Sequence, residues 1–273
     1  MIESLLRAAL DEDAAFRDVT TLATVPADLS ARASLRARQD GVVAGTACVV
    51  AVFRMLDPDC DVDIVASDGS RVAAGDTVLV VTGAARALLS GERVALNFIQ
   101  HLSGIATVTA RYVDAVRGTP ARILDTRKTT PGWRALEKAA VQAGGGTNHR
   151  MDLASAALIK DNHLRAIGGD IRLAIARVRA LLPPGSDVEV EADTIDQVNE
   201  ALAAGAERIL LDNMSLEMMR EAVAMVAGRA RLEASGGVTL ATVRAIAETG
   251  VDDISVGALT HSAPALDLGV DFE

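Results

Sequence analysis

The sequence predicts an α/β protein in which a mixed N-terminal domain precedes an incomplete parallel α/β barrel. Three observations lead there. From about residue 120 onward, short β-rich runs alternate with amphipathic helical stretches, the repeat of a parallel sheet or barrel. Nearly every one of those runs ends in a residue with chemistry to offer. The chain is 50% hydrophobic but only 2% aromatic, so its core is built of Ala, Val, Leu and Ile, a palette that suits strands buried between helices.

Residues 2–10 carry apolar positions at helical spacing, and Asp18-Val19-Thr20-Thr21 reads as a turn or cap. ARASLRAR alternates as a half-buried strand does. A glycine-flanked GVVAG follows, then an apolar helix through Met55. VDIV and TVLVV are short β-type runs, punctuated by Asp68-Gly69 and Gly75-Asp76. Strands and helices mix here without regular alternation, so residues 1–104 are expected to form a separate α+β domain. Gly91-Glu92-Arg93 is expected to open a helix, ERVALNFIQHL, where Arg93 would oppose the helix dipole and His101 would edge a packing face.

The regular series then runs ARILD, ALEKAAVQA; AALIK, IRLAIARVRALL with a stop at Pro183-Pro184; DVEVEAD, IDQVNEALAA; RILLD, LEMMREAVAMVA; ARLEAS, LATVRAIAE; DISVG. That makes six strands, or seven if the TNHRM segment adds one, fewer than a full eight-stranded barrel. In a barrel the side chains at the C-terminal strand ends converge on one site. An open doubly wound sheet places its ligand at a single switch point, and no GxGxxG follows the first strand of this region.

Net charge −10 and a pI near 4.9 speak against a nucleic-acid footprint. MIESLLRAALDED turns acidic where a secretory leader would be apolar, and no apolar run is long enough for a bilayer span. Cys48 and Cys60 lack CxxC spacing, so buried thiols in a reducing cytoplasm are expected.

Against that acidic background, Asp125–His163 is a cationic island, with six Lys/Arg against four Asp/Glu. It holds all three lysines of the chain, Lys128, Lys138 and Lys160, whereas other cations are arginines. Such a cluster points to a small anionic ligand. Arg127, Lys128, His149, Arg150 and Lys160 supply the cations, and Lys138, on its helix, is expected to be solvated. Gly144-Gly145-Gly146 gives a turn that could wrap backbone around a ligand. Lys160 could bind diphosphate as a point charge or form a Schiff base as aldolase lysines do. Glu191 and Asp212 stand on consecutive strand ends, able to accept ribose hydroxyls, meet magnesium or stabilise a cationic transition state. Asp212 could instead cap the turn at Asn213, and Glu189, deeper on the same face, could simply pair inside the barrel. Ser235-Gly236-Gly237, with Gly257 on the next strand, suggests a phosphate cradle. Trp133, the single tryptophan, suits packing as well as stacking on a ligand.

DTRKTTPG, GGG-x-NHR, LIKDNH, EVEAD, LLDN, EASGG and SVGALTHSAPALD, with GVVAG and GERVALNFIQHLSGIAT earlier, together resemble quinolinate phosphoribosyltransferase over nearly the whole chain. The resemblance implies an N-terminal α/β sandwich domain (1–104), an incomplete, seven-stranded α/β barrel (105–260) and a C-terminal segment (261–273) returning to the first domain. It implies transfer of phosphoribose from phosphoribosyl diphosphate (PRPP) to quinolinate with decarboxylation, with Mg2+ carried by the diphosphate and no organic cofactor. Thr126, Arg127, Lys128, His149, Arg150 and Lys160 match positions lining the quinolinate and diphosphate pockets. Glu191 and Asp212 match residues at the ribose and the magnesium-bound diphosphate; with Lys160 they are the expected catalytic set. Ser235, Gly236, Gly237, Val256, Gly257 and Ala258 match the 5-phosphate cradle. Arg93 matches an arginine contributed to the neighbouring subunit of a homodimer or larger oligomer. Two departures from the family pattern are AAFRD, in place of a glycine-rich turn before DVTT, and Trp133 in place of leucine. Two relatives remain as alternatives: nicotinate phosphoribosyltransferase, which does not decarboxylate, and the molybdate-operon paralogue, which lacks the KDNH pattern. A Schiff-base aldolase or a non-catalytic binding protein are readings from other classes.

Overall fold

The computed structural model describes residues 2–183 and 185–273. The chain begins with α1 (Ile2–Glu12) and α2 (Val19–Thr24), then β1 (Ser30–Ala37), β2 (Gly41–Val42), α3 (Thr46–Leu56), β3 (Asp61–Ile64), β4 (Arg71–Val72), β5 (Thr77–Ala84) and α4 (Ala85–Ala115). It continues with β6 (Arg122–Leu124), α5 (Arg134–Ala143), β7 (Ala157–Ile159), α6 (Asp161–Ala166), α7 (Ile171–Arg179), β8 (Val188–Ala192), α8 (Ile195–Ala203) and β9 (Arg208–Asp212). Last come α9 (Leu216–Val226), β10 (Arg231–Ser235), α10 (Val243–Ala247), β11 (Asp253–Ser255), α11 (Ala258–His261) and β12 (Leu268–Phe272). These elements form two compact units: residues 1–110 with 129–145 and 259–273, and residues 111–128 with 146–258.

The first unit is built on an antiparallel sheet of order β12-β1-β5-β3, beside a small β2-β4 ribbon. The C-terminal strand does return to the N-terminal sheet, with Ala33 opposite Phe272 and Ala37 opposite Leu268. Asp18 caps α2 as expected, accepting from the amides of Thr20 (3.1 Å) and Thr21 (3.0 Å). Asp68, in the predicted turn, reaches back to cap α3 through the amides of Gly45 (2.9 Å) and Thr46 (3.0 Å). In AAFRD, Ala14 adopts a left-handed φ of 52°, so an alanine holds a conformation that favours glycine. Cys48 and Cys60 are free and buried, and burial pushes the Cys48 thiol up to about 11, as inert thiols require.

Two sequence expectations need correction here. Arg93 does not open a helix: α4 starts at Ala85 and runs through it. Gly91 is a packing glycine, where a Cβ would press on Leu56 and Phe53, and not a helix break. Lys138 is not solvated but fully buried, because α5 also buries Leu136, Glu137, Ala140 and Val141 and leaves it no solvent side there. Trp133 packs: it stacks on Phe98 with centroids 4.5 Å apart and meets His101 edge-on, while Glu137 pairs with His101 at 2.9 Å. On α4, Gly104 leaves room for the backbone of Pro264.

The second unit holds an all-parallel sheet of order β6-β11-β10-β9-β8-β7. The TNHRM segment adds a single parallel bridge, Leu124 to Thr147, in place of a full seventh strand. If the sheet were flat, the Thr147 segment would lie about 24 Å from β8, five strand spacings away. His149 nevertheless reaches Glu189 of β8 at 3.1 Å and Glu233 of β10 at 3.3 Å. The sheet is therefore curled into a barrel, open between β7 and Thr147. The α7 helix ends at Arg179, before Pro183, and the second half of the expected Pro183-Pro184 stop lies outside the described residues.

Candidate active site at the carboxyl ends of the barrel strands

Parallel register brings the strand ends into step. Ser235 lies opposite Asp212, Ser255 opposite Leu124, Ala192 opposite Leu211 and Ile159 opposite Val190. Residues at or just past these positions therefore share one rim. Lys160, one residue after β7, donates from Nζ to the carboxylate of Glu191 on β8. The Lys160 side chain is 45% exposed and Glu191 14%, so the ammonium keeps access to a ligand. Its own backbone amide donates to Nδ1 of His163 at 2.9 Å, which fixes the turn from β7 into α6.

Asp212 closes β9, and Asn213 after it takes a left-handed φ of 54°. The Asn213 amide donates to the Ser235 carbonyl at 2.9 Å, and its side chain donates to Asp212 Oδ2 at 2.9 Å. The turn thus holds the Asp212 carboxylate in place and does not consume it, since its other oxygen has no part in that bond. Gly236 follows with a φ of 100° and no room for a Cβ against Asn213, and Gly237 has a φ of 59°. Glycine is required at Gly236 for conformation and space together. Both glycines are exposed, so this loop presents backbone outward from the rim. On the neighbouring strand, the amide of Val256 donates to the Leu124 carbonyl at 2.9 Å, placing Gly257 and Ala258 just beyond the rim.

The cations gather after β6 and after the Thr147 bridge. The Lys128 amide donates to Thr126 Oγ1 at 3.0 Å, tightening the turn that carries Arg127. Arg127 Nε is buried without a hydrogen-bond partner among the described residues. Arg150 donates to the Ala156 carbonyl at 3.1 Å, and burial together with the charge of Arg127 lowers its affinity for its proton. An orphaned donor beside a second guanidinium leaves an energetic deficit that an anion would relieve. Asp125, fully buried, accepts from the His149 amide at 2.9 Å and so fixes the backbone between these cations. Arg93 is exposed on α4, within the first unit.

Below the rim lies an ionic layer of which the sequence reading anticipated only Glu189, which pairs inside the barrel with His149 at 3.1 Å. Arg208 of β9 donates to Glu233 (3.1 Å) and Asp253 (3.0 Å), and Asp253 also pairs with Arg122 (2.8 Å) and Arg231 (3.2 Å). Burial raises the Asp253 carboxyl's pKa, but the three arginines more than offset it and hold it below the usual range. The signal was present: Glu233 stands between Leu232 and Ala234, a charge inside an apolar strand. A cavity of about 380 Å³ adjoins this layer, lined by Arg122, His149, Arg150, Asp187, Glu189 and Arg208. Its lining runs from Arg122, Asp187 and Arg208, at or before the starts of their strands, to Leu124 at the end of β6 and to His149 and Arg150.

Comparison with known proteins agrees with this geometry. The family profile for the N-terminal domain of quinolinate phosphoribosyl transferase matches residues 18–103, and that for the C-terminal domain matches residues 105–271. The chain is 47% identical to the nicotinate-nucleotide pyrophosphorylase [carboxylating] of Mycobacterium leprae, covering 98% of this chain and 95% of the relative. It is 43% identical to the chloroplastic protein of that name from Arabidopsis thaliana, covering 100% of this chain and 83% of the relative. Among solved structures, NadC from Streptococcus pyogenes superposes with a TM-score of 0.94 at 43% identity, over 100% of this chain and 97% of that one. Human nicotinic acid phosphoribosyltransferase, at 14% identity and a TM-score of 0.68 over 96% of this chain and 73% of that one, shares the fold alone. With two consecutive domain profiles matched and near-complete coverage of its relatives, the chain belongs to the quinolinate phosphoribosyltransferase family.

Proposed function

We propose that this chain transfers phosphoribose from PRPP to quinolinate and releases the 2-carboxylate as carbon dioxide, giving nicotinate mononucleotide and diphosphate for NAD biosynthesis. The observation that carries this reading is the buried Arg127 Nε, without a hydrogen-bond partner among the described residues, beside Arg150. Two guanidiniums suit a dicarboxylate bidentately, where a monocarboxylate would satisfy only one. The family and its relatives' names support the same reaction.

In this reading Ser235, Gly236, Gly237, Val256, Gly257 and Ala258 cradle the 5-phosphate with backbone amides. Thr126, Arg127, Lys128, His149, Arg150 and Lys160 orient quinolinate and the diphosphate. The C1–oxygen bond to diphosphate breaks as the pyridine nitrogen forms its bond to C1. Glu191 and Asp212 stabilise the positive charge that develops on the ribose ring, and Lys160 holds Glu191 toward it. The pyridinium then accepts the electron pair of the breaking C2–carboxylate bond, and a proton replaces the carbon dioxide. Magnesium enters with the diphosphate as part of the substrate and would neutralise its charge. Glu191 and Asp212, hard oxygen donors on adjacent strand ends, suit it.

The proposal includes a homodimer or larger homo-oligomer, with Arg93 completing the neighbouring subunit's quinolinate pocket. It also places the enzyme in the cytoplasm; among the described residues no helix is long and apolar enough to cross a membrane. The test is to incubate purified protein with magnesium, PRPP and either quinolinate or nicotinate, and to follow nicotinate mononucleotide by NMR. Product from quinolinate alone is expected. Product from nicotinate, or none from quinolinate while PRPP still binds, would overturn the assignment.

A further inference from the structure

The ionic layer under the rim is unused by the reaction as described. Parallel barrels ordinarily fill their interior with branched apolar side chains. Here β8, β9, β10 and β11 place Glu189, Arg208, Glu233 and Asp253 there, and the three acids are each 3% exposed or less. Burying so many charges costs more desolvation than an apolar core would, and such groups are best understood where they fix a geometry. What they fix is His149. Its Nε2 stands 3.1 Å from Glu189 Oε2 and 3.3 Å from Glu233 Oε2, so one N–H is shared between two carboxylates. Its backbone amide is held by Asp125, and its Nδ1 accepts from the Arg150 amide at 2.7 Å.

We propose that Glu189 and Glu233 are positioning residues of the quinolinate pocket, holding the His149 ring by Nε2 and setting the direction and charge it presents to the substrate. The proposal rests on the quinolinate reading of the site given above. The charged groups around His149 come from every strand packed against it. Glu189 stands on β8, Glu233 on β10, Arg208 on β9 with Asp253 of β11 behind it, and Arg122 and Asp125 at either end of β6. On its own segment lies Arg150, facing Arg127. Burial pulls the His149 pKa down, but its hydrogen bonds to Glu189 and Glu233 and their charges outweigh it and push it to about 9. The Arg150 amide at Nδ1 favours the neutral ring, so the carboxylates supply the cationic bias against it. Burial and the charge of Glu233 push the Glu189 carboxyl up, whereas the His149 contact, with Ser255 and Arg208, holds that of Glu233 down despite its burial.

Glu233→Gln keeps an acceptor for Nε2 and removes the charge. With only four histidines in the chain, the His149 imidazole can be followed by 15N NMR in the full-length protein, assigned by its loss in His149→Gln. Expected for Glu233→Gln are a His149 titration lowered by about two units and a quinolinate KM at pH 8 raised about tenfold, as the protonated fraction falls by that factor. The KM for PRPP should stay within about twofold, because the phosphate cradle presents backbone amides at and beyond the ends of β10 and β11, past the Glu233 side chain. If Glu233→Gln does not fold, Glu189→Gln faces the same nitrogen and carries the same readouts. An unshifted His149 titration, or equal losses for both substrates, would make the layer structural only and overturn the proposal. Wild-type protein that binds no quinolinate would sink the functional reading, and this inference with it. Wild-type binding with an unaffected variant would sink this inference alone.

Discussion

The side chain of Asn213 occupies the space that a Cβ on Gly236 would need. One strand-end turn is therefore built against the next: Asn213, itself at a left-handed φ, supports the Asp212 carboxylate and abuts the glycine that opens the phosphate loop. Gly236→Ala is expected to raise the PRPP KM about tenfold and to cost about 1–3 kcal/mol of stability, from a φ of 100° as well as the collision. Steady-state kinetics and urea denaturation read the two effects separately.

Lys160 and Glu191 act as a unit at the rim. Lys160→Ala is expected to lower kcat by about 10²–10³, the usual cost of removing one aimed donor. Lys160→Arg should not restore it, because a planar fork cannot replace a compact ammonium. Borohydride treatment with substrate present should leave no covalent adduct on Lys160; an adduct there would support Schiff-base chemistry instead.

His149 gives a pH signature to stability. Its folded pKa is about 9, above the ordinary value of 6.5, so folding strengthens its hold on the proton. The resulting stabilisation is fully present below about pH 6.5 and fades as pH rises through about 9. Urea titrations across pH 6–10 should show that loss in the wild type and a smaller one in His149→Gln. Equal slopes would contradict it.

The departure at Trp133 is expected to matter for stability alone. Trp133→Leu forfeits the stack on Phe98 and should cost about 1 kcal/mol, with kcat for the quinolinate reaction unchanged. A thermal melt beside an activity assay checks both.

The rim was legible because a parallel barrel turns a sequence period into a place: Lys160, Glu191, Asp212 and Ser235 each close or follow a β-rich run, and register alone brings those ends together. The barrel interior, Glu189 apart, was not. Arg208, Glu233 and Asp253 look like scattered charges until strands far apart in the chain are set side by side, and only the curl brings His149 to Glu233. Arg93 was misplaced because Gly91 reads as a helix boundary when it is a close approach to Leu56 and Phe53. Lys138 was misplaced because amphipathic periodicity assumes a solvent side that α5 does not keep at that position. Ala14 shows the same limit at single-residue scale, since nothing local marks an alanine for a left-handed turn.

The central claim is that phosphoribosyl transfer and loss of the 2-carboxylate are one coupled reaction at this rim. The most direct measurement uses quinolinate labelled in its 2-carboxyl carbon, with PRPP and magnesium, and counts labelled carbon dioxide against diphosphate. Equal amounts, with no carbon dioxide when PRPP is omitted, are predicted. Diphosphate released without labelled carbon dioxide would contradict it.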